Sequence, residues 1–144
     1  MDTRRFKNRR DRTKEKEKMI PVEEWMTTPV RTIEPDKSIM EAAKLMAKNR
    51  IGALIVVENN KPVGVITERD ILDKVVAKAK DPRELRVKKI MTKKVYTLHP
   101  KAPIIEATKM MKKHGCRRIL IVDENNKPLG ILTSRDLIDL IAVE

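Results

Sequence analysis

Two segments of the chain carry a threonine and an aspartate at the same spacing. Thr67 stands three positions before Asp70, and Thr133 stands three positions before Asp136. An aspartate carboxylate can accept hydrogen bonds from two neighbouring hydroxyl groups, and a threonine at a helix start offers its hydroxyl beside backbone N–H groups that attract anions. The same pattern fits a helix capping box, which needs no ligand, although capping boxes favour Glu or Gln over the shorter Asp. The pattern therefore leaves both a ligand site and a helix cap open.

The other residues of chemical interest do not form a catalytic or metal-binding motif. Cys116 is the single cysteine, so an internal disulfide is excluded, and His99 and His114 do not stand at a recognised metal-ligand spacing from it. We find no nucleophile–base set, paired-carboxylate site or glycine-rich phosphate loop. We therefore expect a protein that is not an enzyme and holds neither a metal nor a cofactor.

Composition indicates a cytoplasmic protein outside the membrane. Hydrophobic residues make up 40% of the 144 residues and aromatic residues only 2%, so the core must be aliphatic. No apolar run approaches the roughly 18 residues of a membrane helix, and the basic N-terminus lacks the apolar segment of a secretory signal. A lone cysteine is typical of a reducing cytoplasm. Charged residues reach 38% and glutamine is absent, which favours a heat-adapted protein.

The two Thr-x-x-Asp segments belong to a longer internal repeat. A shift of 65 positions superposes Met26-Thr27 on Met91-Thr92, and a shift of 66 superposes Asn59-Asn60-Lys61-Pro62 on Asn125-Asn126-Lys127-Pro128. A match of this length is the signature of a duplicated structural unit. The sequence therefore predicts repeat one at residues 19–79, a linker at 80–87 and repeat two at 88–144, all preceded by a basic tail at 1–18.

Each repeat shows the order strand, helix, strand, strand, helix. In repeat one, a strand at Val30–Ile33 precedes a helix with Ser38 as its N-cap, and a hairpin of Ala53–Val57 and Val63–Thr67 leads into a helix from about Glu68. Repeat two has strands at Val95–Leu98, Arg118–Val122 and Leu129–Thr133, and helices at 103–114 and from Ser134. We predict an α/β (α+β) fold in which two β-α-β-β-α repeats pack sheet to sheet with pseudo-two-fold symmetry.

These features resemble the cystathionine-β-synthase (CBS) repeat, and the pair resembles the module that two CBS repeats form. The family's motif of glycine, two aliphatic residues, Ser or Thr, two variable residues and Asp matches Gly64–Asp70 and Gly130–Asp136. A Thr-aliphatic-x-Pro element also matches at 32–35 and at 97–100. The resemblance implies a non-catalytic regulatory module, an energy or metabolite sensor, that binds AMP, ADP, ATP or S-adenosylmethionine in clefts between the repeats.

The resemblance also assigns roles to the candidate residues. The carboxylates of Asp70 and Asp136 would accept hydrogen bonds from ribose hydroxyls, with the hydroxyls of Thr67 and Thr133 beside them. Backbone groups at the start of each central strand would read the adenine edge, and the first strand of each repeat would close the other side. The predicted ligand-binding residues are Thr32, Ile33, Ala53, Leu54, Ile55, Thr67, Arg69, Asp70, Thr97, Leu98, Arg117, Arg118, Ile119, Leu120, Thr133, Ser134, Arg135 and Asp136.

Arginines predict that the two clefts differ. Arg69 and Arg135 could contact a phosphate or lie in solvent. Arg117 and Arg118 begin the central strand of repeat two, where some family members place basic residues that face the phosphates of a nucleotide, with an ordinary exposed pair as the alternative. The equivalent Gly52-Ala53 of repeat one brings no charge, so we expect unequal affinities.

Two further features point to macromolecular partners. Residues 1–18 carry nine Lys or Arg against four acidic residues, which predicts a disordered tail or a solvated helix. Such arms can bind nucleic acid through its phosphates, and a solubilising extension is the alternative. The last helix is apolar over more than one stripe, which favours a homodimer. The alternative function is therefore a nucleic-acid-binding protein with the repeats as its dimer scaffold.

Overall fold

Each repeat builds one three-stranded sheet, in the computed structural model that describes residue 16 and residues 18–142. In both sheets the first strand is parallel to the second, and the second is antiparallel to the third. The first strands are shorter than predicted, because Val30 and Val95 precede them and pack between the sheets instead. The strands are β1 Thr32–Ile33, β2 Ala53–Glu58, β3 Lys61–Thr67, β4 Thr97–Leu98, β5 Arg118–Val122 and β6 Pro128–Thr133.

The helices begin close to where the sequence predicts them. Ser38 caps the first helix, since its side chain accepts a hydrogen bond from the backbone N–H of Glu41 at 3.1 Å. Pro103 is extended and serves as an N-cap residue, so its helix begins one position later than predicted. The helices are α1 Ile39–Asn49, α2 Glu68–Ile71, which continues into a π-helix at Leu72–Val76, α3 Val87–Ile90, α4 Ile104–His114 and α5 Ser134–Ala142.

The two sheets pack face to face, as the pseudo-two-fold arrangement requires. Alternate residues of a strand point to opposite faces. Leu54 and Val56 of β2 are therefore buried in a cluster with α1, whereas Ile55 is buried in a separate cluster with Leu120 and Val122 of β5. This arrangement confirms the predicted fold and its aliphatic core.

The segment that precedes the first strand of each repeat packs on the other repeat. Val22 is buried in the cluster of repeat two, and its N–H donates to the carbonyl of Ala102 at 2.8 Å. Val87, at the end of the predicted linker, is fully buried in the cluster of repeat one. Isolated bridges pair Thr27 with Ile131 and Val65 with Thr92. The repeats therefore interlock through exchanged segments.

The glycine of each family motif makes this exchange sterically feasible. A Cβ at Gly64 would lie 2.6 Å from Sδ of Met91 and 2.9 Å from the carbonyl oxygen of Thr92. A Cβ at Gly130 would overlap the side chain of Met26 in the same way. Only a residue without a side chain lets the exchanged segments approach these strands so closely.

Two further sequence predictions concern the basic tail and the membrane. Apart from Lys16 and Lys18, the predicted basic tail lies outside the described residues. Among the helices that the structure describes, none combines the length and the apolar character needed to cross a membrane.

Candidate functional site

Both Thr-x-x-Asp segments form capping boxes. In repeat one, Oδ2 of Asp70 accepts hydrogen bonds from the backbone N–H of Thr67 at 3.0 Å and from its Oγ1 at 2.9 Å. The backbone N–H of Asp70 donates to Oγ1 of Thr67 at 3.1 Å. In repeat two, the corresponding distances between Thr133 and Asp136 are 2.8, 3.0 and 3.2 Å. The capping interpretation of the pattern is therefore confirmed in both copies.

Capping uses only one oxygen of each carboxylate, and the second oxygen differs between the repeats. Oδ1 of Asp70 lies 3.0 Å from Nζ of Lys74. No residue among those described forms a hydrogen bond or an ion pair with Oδ1 of Asp136. An ionised carboxylate can accept hydrogen bonds at both of its oxygens, so capping does not prevent Asp136 from accepting hydrogen bonds from a ligand as well.

The sheet registers place some candidates of repeat one together. Ala53 pairs with Thr67, so the start of the central strand lies beside the Thr-x-x-Asp turn. Thr32 pairs with Ile55 two residues further along β2, so the first strand lies against the middle of the central strand.

Repeat two has the same arrangement. Arg118 pairs with Thr133, and Thr97 pairs with Leu120. Leu98 follows Thr97 in the same short strand, and Ser134 is the first residue of α5. Arg118 and the Thr-x-x-Asp turn therefore lie together at one sheet end, and the first strand lies against the middle of β5.

Four of the predicted residues are too deeply buried for their side chains to meet a ligand. Leu54 and Ile119 lie in the cores of their own repeats, and Ile55 and Leu120 lie between the sheets. Contact with adenine through these residues would have to use their backbone groups, which is the form in which it was predicted.

A cavity of about 430 Å³ joins the two repeats. It is lined by Gly52, Thr67, Glu68, Arg69, Arg117 and Arg118, and we call it the arginine cavity. Backbone hydrogen bonds of 2.9 Å from Glu68 N to Gly52 O and from Ser134 N to Arg117 O hold the strand starts against the helix starts. Three arginines and one acidic residue line the arginine cavity, so the cavity favours an anion.

The arginines past the threonines are in ion pairs within their own helices. Arg69 lies 2.9 Å from Asp73, and Arg135 lies 3.4 Å from Asp139. Both guanidinium groups are about four-fifths exposed, and exposed pairs of this kind contribute little to stability. Arg69 lines the arginine cavity and Arg135 does not, so only Arg69 is placed to meet the same anion as Arg117 and Arg118.

A second, larger groove was not predicted from the sequence. It has a volume of about 850 Å³ and runs between α1, the segment after β1 and the β2–β3 turn. Leu45 and Val57 line it together with Thr32 and Ile33. Two of the predicted ligand-binding residues thus line this groove rather than the arginine cavity. Its walls come from residues far apart in sequence, and no short motif marks it.

The described residues include no group of three or more His, Cys, Asp and Glu side chains that is placed to hold a metal ion.

Comparison with known proteins gives the chain its relatives. The sequence profile of the CBS domain matches residues 22–77 and 87–143. An uncharacterized protein of Methanopyrus kandleri is 37% identical over 122 residues, which cover 84% of this chain and 62% of that relative. This chain therefore spans less than two thirds of that relative's length.

Solved structures show the same fold. The CBS domain pair of protein MJ0100, in complex with 5′-methylthioadenosine and S-adenosyl-L-methionine, is 32% identical, with a TM-score of 0.78 over 87% of this chain and 98% of that one. The CBS domain protein PAE2072 from Pyrobaculum aerophilum, complexed with AMP, is 28% identical, with a TM-score of 0.75 over 85% of this chain and 99% of that one.

Proposed function

The chain belongs to the CBS domain family, and from that premise we propose that it is a non-catalytic regulatory module that binds an adenosyl ligand between its repeats. The ligand class is AMP, ADP, ATP or S-adenosylmethionine, and the output is the sensing of energy or metabolite level. The observation that carries the proposal is the arginine cavity, which brings Thr67 and Arg69 of repeat one together with Arg117 and Arg118 of repeat two.

The chemistry of the arginine cavity favours a nucleotide within this ligand class. Guanidinium groups bind phosphate through paired N–H donors, and Glu68 is the single acidic residue among those that line the cavity. S-adenosylmethionine offers the three arginines a single carboxylate beside a cationic sulfonium and an ammonium group, so it gains less from them than a nucleotide does. The volume of about 430 Å³ lies in the range of small-molecule sites, so we propose that the phosphates of AMP, ADP or ATP occupy this cavity.

Exposed apolar residues support the proposal of a homodimer. Leu72 and Val76 of the π-helix and Ile138 and Ile141 of α5 are between 53% and 67% exposed. Apolar side chains grouped on the helices that follow the Thr-x-x-Asp turns are expected to bury themselves against a second copy. We also propose that the protein acts in the cytoplasm, and its adaptation to heat stays a prediction from composition.

Calorimetric titration tests the proposed ligand. We expect ATP, ADP or AMP to bind. The double substitution Arg117→Ala and Arg118→Ala should lower the affinity for ATP by at least about tenfold, because charge-assisted hydrogen bonds to phosphate are lost. The matched control is Lys112→Ala and Lys113→Ala, which removes the same charge from an exposed stretch of α4 and should leave the affinity unchanged. The proposal is refuted if AMP, ADP, ATP and S-adenosylmethionine all fail to bind below about 1 mM.

The basic tail favours a second candidate function, nucleic-acid binding. Its nine basic residues against four acidic ones would neutralise phosphates and make the affinity strongly dependent on salt. Deletion of residues 1–18 separates the two functions, because it should abolish binding to a duplex DNA or RNA probe in a gel-shift assay and leave nucleotide binding intact. Equal binding of the probe by the full and the shortened chains would rule out this candidate.

A further inference from the structure

The carboxylate of repeat one has an internal partner. Nζ of Lys74 lies 3.0 Å from Oδ1 of Asp70 and also donates a hydrogen bond of 3.0 Å to the backbone carbonyl of Ile90. The Asp70 side chain is only 11% exposed, and its Oδ2 accepts hydrogen bonds from the backbone N–H and from Oγ1 of Thr67. Both oxygens of Asp70 are therefore engaged within the chain.

A change of helix type places the lysine at this position. The backbone N–H of Ala77 donates to the carbonyl of Leu72, five residues earlier, which defines the π-helix. The internal repeat aligns Lys74 with Leu140, which is buried in the core of repeat two. In the wider turn, Val75 takes the buried position in repeat one. Lys74 therefore lies outside the core, where a residue four positions after Asp70 can reach its carboxylate.

Repeat two has no counterpart of this lysine. Leu140 stands four residues after Asp136 in a regular α-helix and carries no charge. Oδ2 of Asp136 is used by the cap, and no described residue engages Oδ1. Asp136 is half-buried, whereas Asp70 is buried. A ribose diol can therefore reach an unoccupied carboxylate oxygen only in repeat two.

We propose that Lys74 closes the carboxylate of repeat one to the ribose diol, so that each protomer binds one adenosyl ligand, with its ribose at Asp136. This inference rests on the proposed function and names Lys74 as the residue that determines the number of sites. A diol that approached Asp70 would have to displace the ammonium group from both the carboxylate and the carbonyl of Ile90. At Asp136 the diol displaces none of the described residues.

The experiment is a calorimetric titration of the full chain with ATP. We expect one site per protomer for the unmodified protein and two for Lys74→Met, which keeps an unbranched side chain of similar size and removes the charge. Because the Lys74 side chain is 46% exposed, the substitution should preserve folding, and Lys74→Gln is a second variant if it does not. Lys78→Met, an exposed residue shortly after the π-helix, is the matched control and should keep one site.

A pair of aspartate substitutions identifies the occupied repeat. Asp136→Asn keeps an oxygen for the cap but removes the second acceptor oxygen. It should therefore lower the affinity for ATP by at least about tenfold. Asp70→Asn should leave the affinity of the unmodified site unchanged. 2′,3′-Dideoxy-ATP should bind the unmodified protein more weakly than ATP by a similar factor.

The outcomes separate the two proposals. Two equal sites in the unmodified protein, or one site in both Lys74 variants, would overturn the role of Lys74 and leave the proposed function standing. Equal effects of Asp70→Asn and Asp136→Asn would also overturn it. Failure of every adenosyl compound to bind any variant would refute both proposals.

Discussion

Replacing Gly130 by alanine should weaken the contact between the segment before β1 and the sheet of repeat two. The three atoms nearest to an added Cβ all belong to the side chain of Met26. Overpacking of this kind destabilises a protein by about 1–3 kcal/mol, and the lower entropy of alanine in the unfolded chain offsets about 0.4–1 kcal/mol of that. We therefore expect Gly130→Ala to lower the free energy of unfolding by about 1–2 kcal/mol.

In the equivalent substitution in repeat one, Gly64→Ala, the steric clash of the added Cβ should be harder to relieve. A Cβ at Gly64 meets the backbone carbonyl oxygen of Thr92 at 2.9 Å as well as the Met91 side chain. That carbonyl accepts a hydrogen bond from Val65 N at 2.9 Å and is part of the bridge between the repeats. Shortening Met91 therefore cannot make full room for alanine at Gly64, whereas shortening Met26 can make room for alanine at Gly130.

Urea denaturation of two double-mutant cycles tests this difference. For Gly130→Ala with Met26→Ala, the free energy of unfolding of the double variant should exceed the value expected from adding the two single effects by at least about 1 kcal/mol. For Gly64→Ala with Met91→Ala, the same coupling should be smaller. Additive effects in the Gly130 cycle would refute the argument that Met26 is the group excluded by a Cβ at that position.

Three further substitutions test other contacts by the same denaturation assay. Ser38→Ala should lower the free energy of unfolding by about 1 kcal/mol through loss of the cap. Ser134 forms no side-chain cap, so Ser134→Ala should change the free energy of unfolding by less than about 0.5 kcal/mol. Equal effects of the two substitutions would contradict the capping role of Ser38. Val87→Ala should lower it by roughly 2 kcal/mol because Val87 is fully buried, and a negligible loss would argue against burial of the exchanged segment. The hydrogen bond and the charge of Lys88 hold the pKa of Asp36 below its ordinary value of 3.8. The stabilisation that this ion pair gives to the folded state is therefore present above pH 3.8 and is lost as the pH falls through the lower pKa of the folded state. Asp36→Asn should therefore be less stable than the unmodified protein at pH 7 but not in strong acid, and a difference that persists in acid would contradict this assignment.

Much of the fold could be predicted because its signals are local. The Ser38 cap, the hairpins and the helix starts depend on residues within a few positions of one another, and the structure confirms them. The repeat also implied that two similar sheets must cover each other, which the buried cluster around Ile55 and Leu120 confirms. The roles of the ligand-binding residues remain predictions, because no local pattern distinguishes a carboxylate that only caps a helix from one that also binds ribose.

The sequence by itself determined the duplicated architecture, the strand and helix order and the residue types at the Thr-x-x-Asp turns, since periodicity and turn chemistry act over short distances along the chain. Tertiary structure alone decided which repeat each leading segment covers, which cavity the arginines line and which carboxylate oxygen stays unengaged. The ion pair of Lys74 with Asp70 illustrates the reason. The two residues are four apart, but the buried position in the π-helix is taken by Val75 against residues elsewhere in the chain, and this leaves Lys74 outside the core. The sequence supplies a lysine in repeat one and a leucine in repeat two, and packing between distant segments decides that the leucine is buried and the lysine is not.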